Sequence, residues 1–142
     1  MTGARVHGSA LYLAANGCQV TALEPEQDMV ERVLSAAADE GLDGRVRGFT
    51  TPLCQWSPEG PIAALICTPA AFAGLSDIER AQVIALLQSA TTDGGVHLVE
   101  TIIAGQEAIS EAELRRSYSG WDISFHREPG VARTFLAKKH SA

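Results

Sequence analysis

The sequence is poor in cysteine, poor in basic charge and free of long apolar runs, and each shortage narrows what the chain can be. Its three cysteines, Cys18, Cys54 and Cys67, are spread widely over 142 residues. An odd number at such spacing suits free thiols in a reducing compartment rather than a disulfide framework. No pair has CxxC spacing, so a zinc site, or any other metal, is not expected. Eleven Lys and Arg face seventeen Asp and Glu, a net charge of -6. A surface of that sign repels phosphate backbones, which argues against a nucleic-acid partner but leaves small anionic ligands open. No stretch reaches 18 apolar residues, and Met1 to His7 holds no apolar run. Membrane spanning and secretion are therefore not expected, and a cytoplasmic location is.

What is present is enough for a core. Hydrophobic residues make up 46% and charged residues 20%, the balance of a folded chain, with a length that fits a single domain over residues 1–142. No repeat, low-complexity tract or linker divides it.

Local patterns place the elements. Ser9 is positioned to cap a short helix over Ala10–Ala15, closed by Gly17. Cys18 to Leu23 reads as a short buried strand ending at Glu24-Pro25, and Pro25 suits the first turn of the next helix. That helix carries an apolar stripe at Met29, Val30, Val33, Leu34 and Ala37 and stops near Gly41. Arg45 to Phe49 alternates as a strand. Ile62 to Cys67 is a continuous apolar run between Pro61 and Pro69, the pattern of a strand covered on both faces. Ser76-Asp77-Ile78-Glu79 opens a helix with a capping box, its stripe being Ile78, Val83, Ile84, Leu86 and Leu87. Asp93-Gly94-Gly95 turns into a strand from Val96 to Thr101. A short helix runs from Ser110 to about Tyr118, and strands Trp121–His126 and Val131–Lys138 flank Glu128-Pro129-Gly130.

Strands alternating with helices predict an α/β fold: a Rossmann-like, mostly parallel sheet with helices on both faces. The last two strands, joined by a short Pro-Gly turn, are expected to form an antiparallel hairpin. The connection from Thr50 to Pro61 carries no clear helix.

Four segments in this order resemble the class I S-adenosylmethionine (SAM) methyltransferases, most closely the tellurite-resistance methyltransferase group. They are Ala10–Gly17 running into Val20-Thr21-Ala22-Leu23-Glu24-Pro25; Leu65-Ile66-Cys67-Thr68-Pro69; Thr92-Asp93-Gly94-Gly95 running through Glu100; and Gly120-Trp121 to Lys139. The resemblance spans nearly the whole chain and implies SAM as cofactor and a small-molecule substrate. It also implies that Glu24, at a strand end, accepts the ribose hydroxyls.

The departures are equally informative. A family member begins with an apolar strand and a GxGxG loop; here only Gly3 to Ser9 precedes the first helix, with Arg5 and His7 where glycines are wanted. The expectation is a truncated fold with a gap in the sheet and a degenerate cofactor site. Gly3 and Gly8 are then remnants of the cofactor loop, and an exposed sheet edge or gap favours a homodimer.

Cys67 and Thr68 stand at the end of a central strand, where open α/β sheets bind ligands, and a thiol there is a candidate nucleophile if a base lowers its pKa. His7 and His126 are candidate general bases because imidazole titrates near neutrality. Arg133 lies in the last hairpin, whose basic residues serve the active site in the resembled group. His97 reads as a packed core histidine. Two other readings share this fold: a SAM-independent biosynthetic enzyme of cyclase or isomerase type, and a non-catalytic partner subunit.

Overall fold

The structure is a computed structural model and describes residues 2–103, 108–127, 130 and 132–140, with side chains from residue 9 onward. The helices are α1 (Thr2–Ala15), α2 (Gln27–Asp39), α3 (Asp77–Ala90) and α4 (Glu111–Ser117). The strands are β1 (Val20–Leu23), β2 (Val46–Phe49), β3 (Ile62–Cys67), β4 (Thr91–Ile102), β5 (Asp122–Arg127) and β6 (Arg133–Lys138). A 3-10 turn covers Pro69–Phe72, which the sequence pattern did not reveal.

The six strands form one sheet in the order β2-β1-β3-β4-β6-β5. β2, β1, β3 and β4 run parallel, and β6 and β5 are antiparallel to their neighbours. The expected fold class is the one observed. Side chains alternate across the sheet, so each face builds its own core. Val20, Ala64 and Ile66 pack with Ala10 and Ala14 of α1 and Val33 and Ala37 of α2. Leu65, Cys67 and Val99 on the other face pack with Ile84 and Leu87 of α3 and Leu114 of α4.

Gly48 fixes how closely α2 lies on the sheet, because a Cβ there would come within 2.6 Å of Val30 Cγ1. The capping box of α3 is complete: Ser76 Oγ accepts from Glu79 N–H at 3.2 Å, and Glu79 Oε1 accepts from Ser76 N–H at 2.8 Å. The Ser76 N–H, and after it the Ser76 hydroxyl, hold the Glu79 carboxyl below the usual carboxylate range.

Four expectations change. The first helix begins at Thr2, not Ala10, so Ser9 lies inside it and Gly3 and Gly8 are helical rather than parts of a loop. The Asp93-Gly94-Gly95 segment is not a turn before a strand: β4 already starts at Thr91 and absorbs those residues in a bulge against β3. The α3 stripe is narrower than its periodicity implied, since Ile78 and Leu86 are exposed. Finally, the sheet has no gap. β1 pairs with β3 directly, Val20 opposite Ala64 through Leu23 opposite Cys67.

Candidate functional site

The carboxyl ends of the parallel strands gather three polar residues in one row. Leu23, Cys67 and Val99 are register partners, so the next residues along, Glu24, Thr68 and Glu100, follow on the face covered by α1 and α2. Glu24 and Thr68 directly follow β1 and β3, and Glu100 stands near the end of β4, after the apolar part of each strand.

Glu24 is held on both oxygens. Thr68 Oγ1 donates to Oε2 at 2.7 Å, and Glu26 N–H donates to Oε1 at 3.3 Å. Glu24 N–H itself continues the ladder to Phe49 C=O at 3.0 Å. Two positions along the sheet, Glu100 is 1% exposed, and its Oε2 accepts from Ser9 Oγ of α1 at 2.8 Å. Thr101, the next residue, has φ of 61°, the left-handed region that a β-branched residue rarely enters. The register between β4 and β6 shifts at the same point, between Val99 and Ile102. Strained backbone of this kind clusters at functional sites.

Glu100 and Thr101 were not singled out from sequence. The one available signal was an acid ending the apolar run of Val96–Val99.

The remaining candidates separate. Cys67 lies beneath the row and is buried. Burial first, then the charges of Glu24 and Glu100, drive its thiol pKa far upward, so it stays protonated and packs as a small apolar side chain. Arg133 opens β6 beside Ile102, hence at the same edge of the sheet as Glu24 and Thr68. There it is bound by Glu111 through contacts of 2.8 and 3.1 Å and stacks over Phe125. His126 is exposed on β5, 3.3 Å from Ser124 Oγ. The backbone of His7 lies in α1, and its side chain falls outside the described residues. The structure thus brings Glu24 and Thr68 together and sets Glu100 beside them; it does not join Cys67, His126 and Arg133 into one constellation. Among the described residues no group of His, Cys, Asp and Glu could hold a metal ion.

The space beside Glu24 and Thr68 tests whether SAM fits. The cavity there, walled by Met29, Val30, Ile66 and Cys67, holds about 10 Å3, enough for one water molecule. Small-molecule sites occupy hundreds of Å3. With β1 against β3, this space by itself is too small for a nucleoside; residues 104–107, which follow β4 in the chain, and the side chains of residues 2–8 lie outside the described residues.

No protein-family model matches the sequence, and no curated protein matches it. Solved structures do. TehB from Haemophilus influenzae is 16% identical with a TM-score of 0.63, over 92% of this chain and 53% of its own. N-methyltransferase NodS from Bradyrhizobium japonicum is 9% identical with a TM-score of 0.62, over 97% and 96%. The glycopeptide N-methyltransferase MtfA, complexed with S-adenosyl-L-homocysteine, is 11% identical with a TM-score of 0.59, over 91% and 77%. Against several others the chain spans only 43–57% of their length. At such identities the likeness establishes a methyltransferase-like fold and nothing finer, and 502 matching chains show how widely that fold is shared.

Proposed function

We propose that the chain is a SAM-dependent methyltransferase-like protein acting on a small molecule, with a degenerate cofactor site. Its nearer affinity is with the tellurite-resistance methyltransferases that its sequence resembles. The observation that carries the reading is the pairing of Glu24 with Thr68 at the tips of β1 and β3 over a cavity of about 10 Å3. An acid at that strand end is what a ribose diol requires. Here one lone pair on each oxygen is taken up within the protein, by Thr68 Oγ1 and by Glu26 N–H, which leaves a weakened acceptor for a ribose diol.

Calorimetric titration with SAM and with S-adenosyl-L-homocysteine tests this. The expected result is saturable heat with either ligand, weakened by the degenerate site. No heat and no thermal shift up to millimolar ligand would overturn the SAM-dependent reading.

The reading includes a cytoplasmic homodimer. No described helix is long and apolar enough to cross a membrane. With no gap to fill, the dimer would use a free edge of the sheet, β2 or β5. Light scattering should give twice the chain mass, and a monomer at micromolar concentration would remove this part of the reading.

A further inference from the structure

The opposite face of the sheet carries a second, larger cavity. It holds about 340 Å3 and lies against β1 and β2, roofed by the connection that leads to β3. Its origin is local. Arg47 and Phe49 are two apart on β2 and so share a face, with Thr21 of β1 opposite Arg47. Among the described residues no helix lines this part of the sheet. The connection crosses instead with Trp56 and the rigid run Pro58-Glu59-Gly60-Pro61. The space left lies at the lower end of the range that small-molecule pockets occupy.

Its lining is selective. The Phe49 and Trp56 rings pack as a tilted pair, 5.5 Å between centroids at 55°, and together form one aromatic wall of the cavity. The Arg47 guanidinium lies 5.6 Å from the centre of the Phe49 ring. It is met by Glu59 through one long contact of 3.4 Å, and both side chains are largely exposed, 60% and 77%. An exposed pair of this kind contributes little, so a better anion can replace Glu59 at small cost. Aromatic walls favour a planar ring, and a planar guanidinium favours a carboxylate that can take two N–H bonds at once.

We propose that this cavity binds a planar aromatic carboxylate. The ring packs on the wall formed by Phe49 and Trp56, and the carboxylate takes Arg47 from Glu59. The site lies on the face opposite the Glu24–Thr68 row and does not depend on whether SAM binds.

The test uses the whole chain with 2-naphthoate as the probe, followed through the two indole N–H resonances and assigned with Trp56→Phe. The Trp56 signal should move saturably and the Trp121 signal should not. Naphthalene-2-carboxamidine, the same ring with a cation, should bind at least about tenfold more weakly. Arg47→Gln should weaken naphthoate by about tenfold or more, the scale of a charged hydrogen bond. Glu59→Gln, which removes the internal competitor, should tighten it by about threefold. No saturable shift of Trp56, equal shifts of both indoles, an amidine that binds as well as the acid, or an unchanged affinity in folded Arg47→Gln would each overturn the proposal.

Discussion

The two ends of β4 are built from similar residue types and do opposite things. At its entry the strand buries a chain of neutral polar groups, each hydrogen-bonded. Thr91 Oγ1 donates to Leu87 C=O at 2.7 Å, so its lone pair must accept from His97 Nε2–H at 2.7 Å. His97 Nδ1 is then the acceptor for the Tyr118 hydroxyl at 2.6 Å. Lys139 Nζ closes the end by donating to Gln88 and Thr91 carbonyls, and the Trp121 ring packs on both His97 and Tyr118. At its exit the strand holds a buried carboxyl group, Glu100, and a left-handed threonine. Satisfied neutral networks rigidify a core. A buried acid beside strained backbone stabilises little by itself and persists only because its surroundings over-determine it. The entry reads as architecture and the exit as a site.

If that division is right, damage at the entry should be costly and specific. Gly95 is the sharpest point: a Cβ there would meet Thr91 Cγ2 at 2.5 Å, Thr92 O at 2.9 Å and Ala63 O at 3.1 Å. Two of these are backbone atoms that cannot swing aside. Gly95→Val should therefore destabilise by about 3 kcal/mol, read as a lower urea midpoint. A loss below about 1 kcal/mol would mean that the bulge is soft and the entry is no more architectural than the exit.

Acid should break the entry next. Burial, aided by the Lys139 charge, lowers the His97 pKa to about 3, against about 6.5 for an exposed imidazole. The unfolded chain therefore takes up a proton that the folded one refuses. The stabilisation is complete above pH 6.5 and declines as pH falls toward 3, by about 1.4 kcal/mol per unit. At pH 5 the loss should be about 2 kcal/mol, while the His97 ring stays neutral with its proton on Nε2 by nitrogen NMR. An imidazole titrating near 6.5 in the folded state would refute both the network and the slope.

How far the sequence foretold this contrast depends on the range of the forces involved. The capping box at Ser76 and Glu79 is a pattern within one turn and was legible, as was the apolar run Ile62–Cys67. His97 was readable as a core histidine because an apolar strand surrounds it. The bulge was not: Asp93-Gly94-Gly95 has turn chemistry, and only pairing with β3 turns it into strand. Nor was the direct contact of β1 with β3, since strand order is set by long-range packing that local periodicity does not encode. Ile78 and Leu86 share the α3 stripe with Ile84 and Leu87, yet no neighbour covers them. At the site, Glu24 and Thr68 were legible as strand-end polar residues. Their mutual hydrogen bond, the Ser9–Glu100 contact and the left-handed Thr101 arise only when separate elements meet.

At the exit, removing one partner tests how much Glu100 relies on α1. Ser9→Ala deletes a hydroxyl donor to a buried carboxyl oxygen and should cost about 1.5 kcal/mol. The loss should show in the melting of α1 by hydrogen exchange more than elsewhere. Uniform loss of protection across the sheet would instead tie Glu100 into the core as firmly as His97.

The smallest effect decides most. Thr101 holds a conformation that costs a β-branched residue about 1–3 kcal/mol. Glycine adopts it freely but adds about 0.5–1 kcal/mol of backbone entropy to folding and gives up the interactions Thr101 makes. Thr101→Gly should therefore change stability by less than about 1 kcal/mol, seen as a urea midpoint that barely moves with an unchanged slope. If the midpoint instead falls by 1 kcal/mol or more, contacts of the Thr101 side chain offset its strain, the two ends of β4 are alike, and the exit loses its standing as a site.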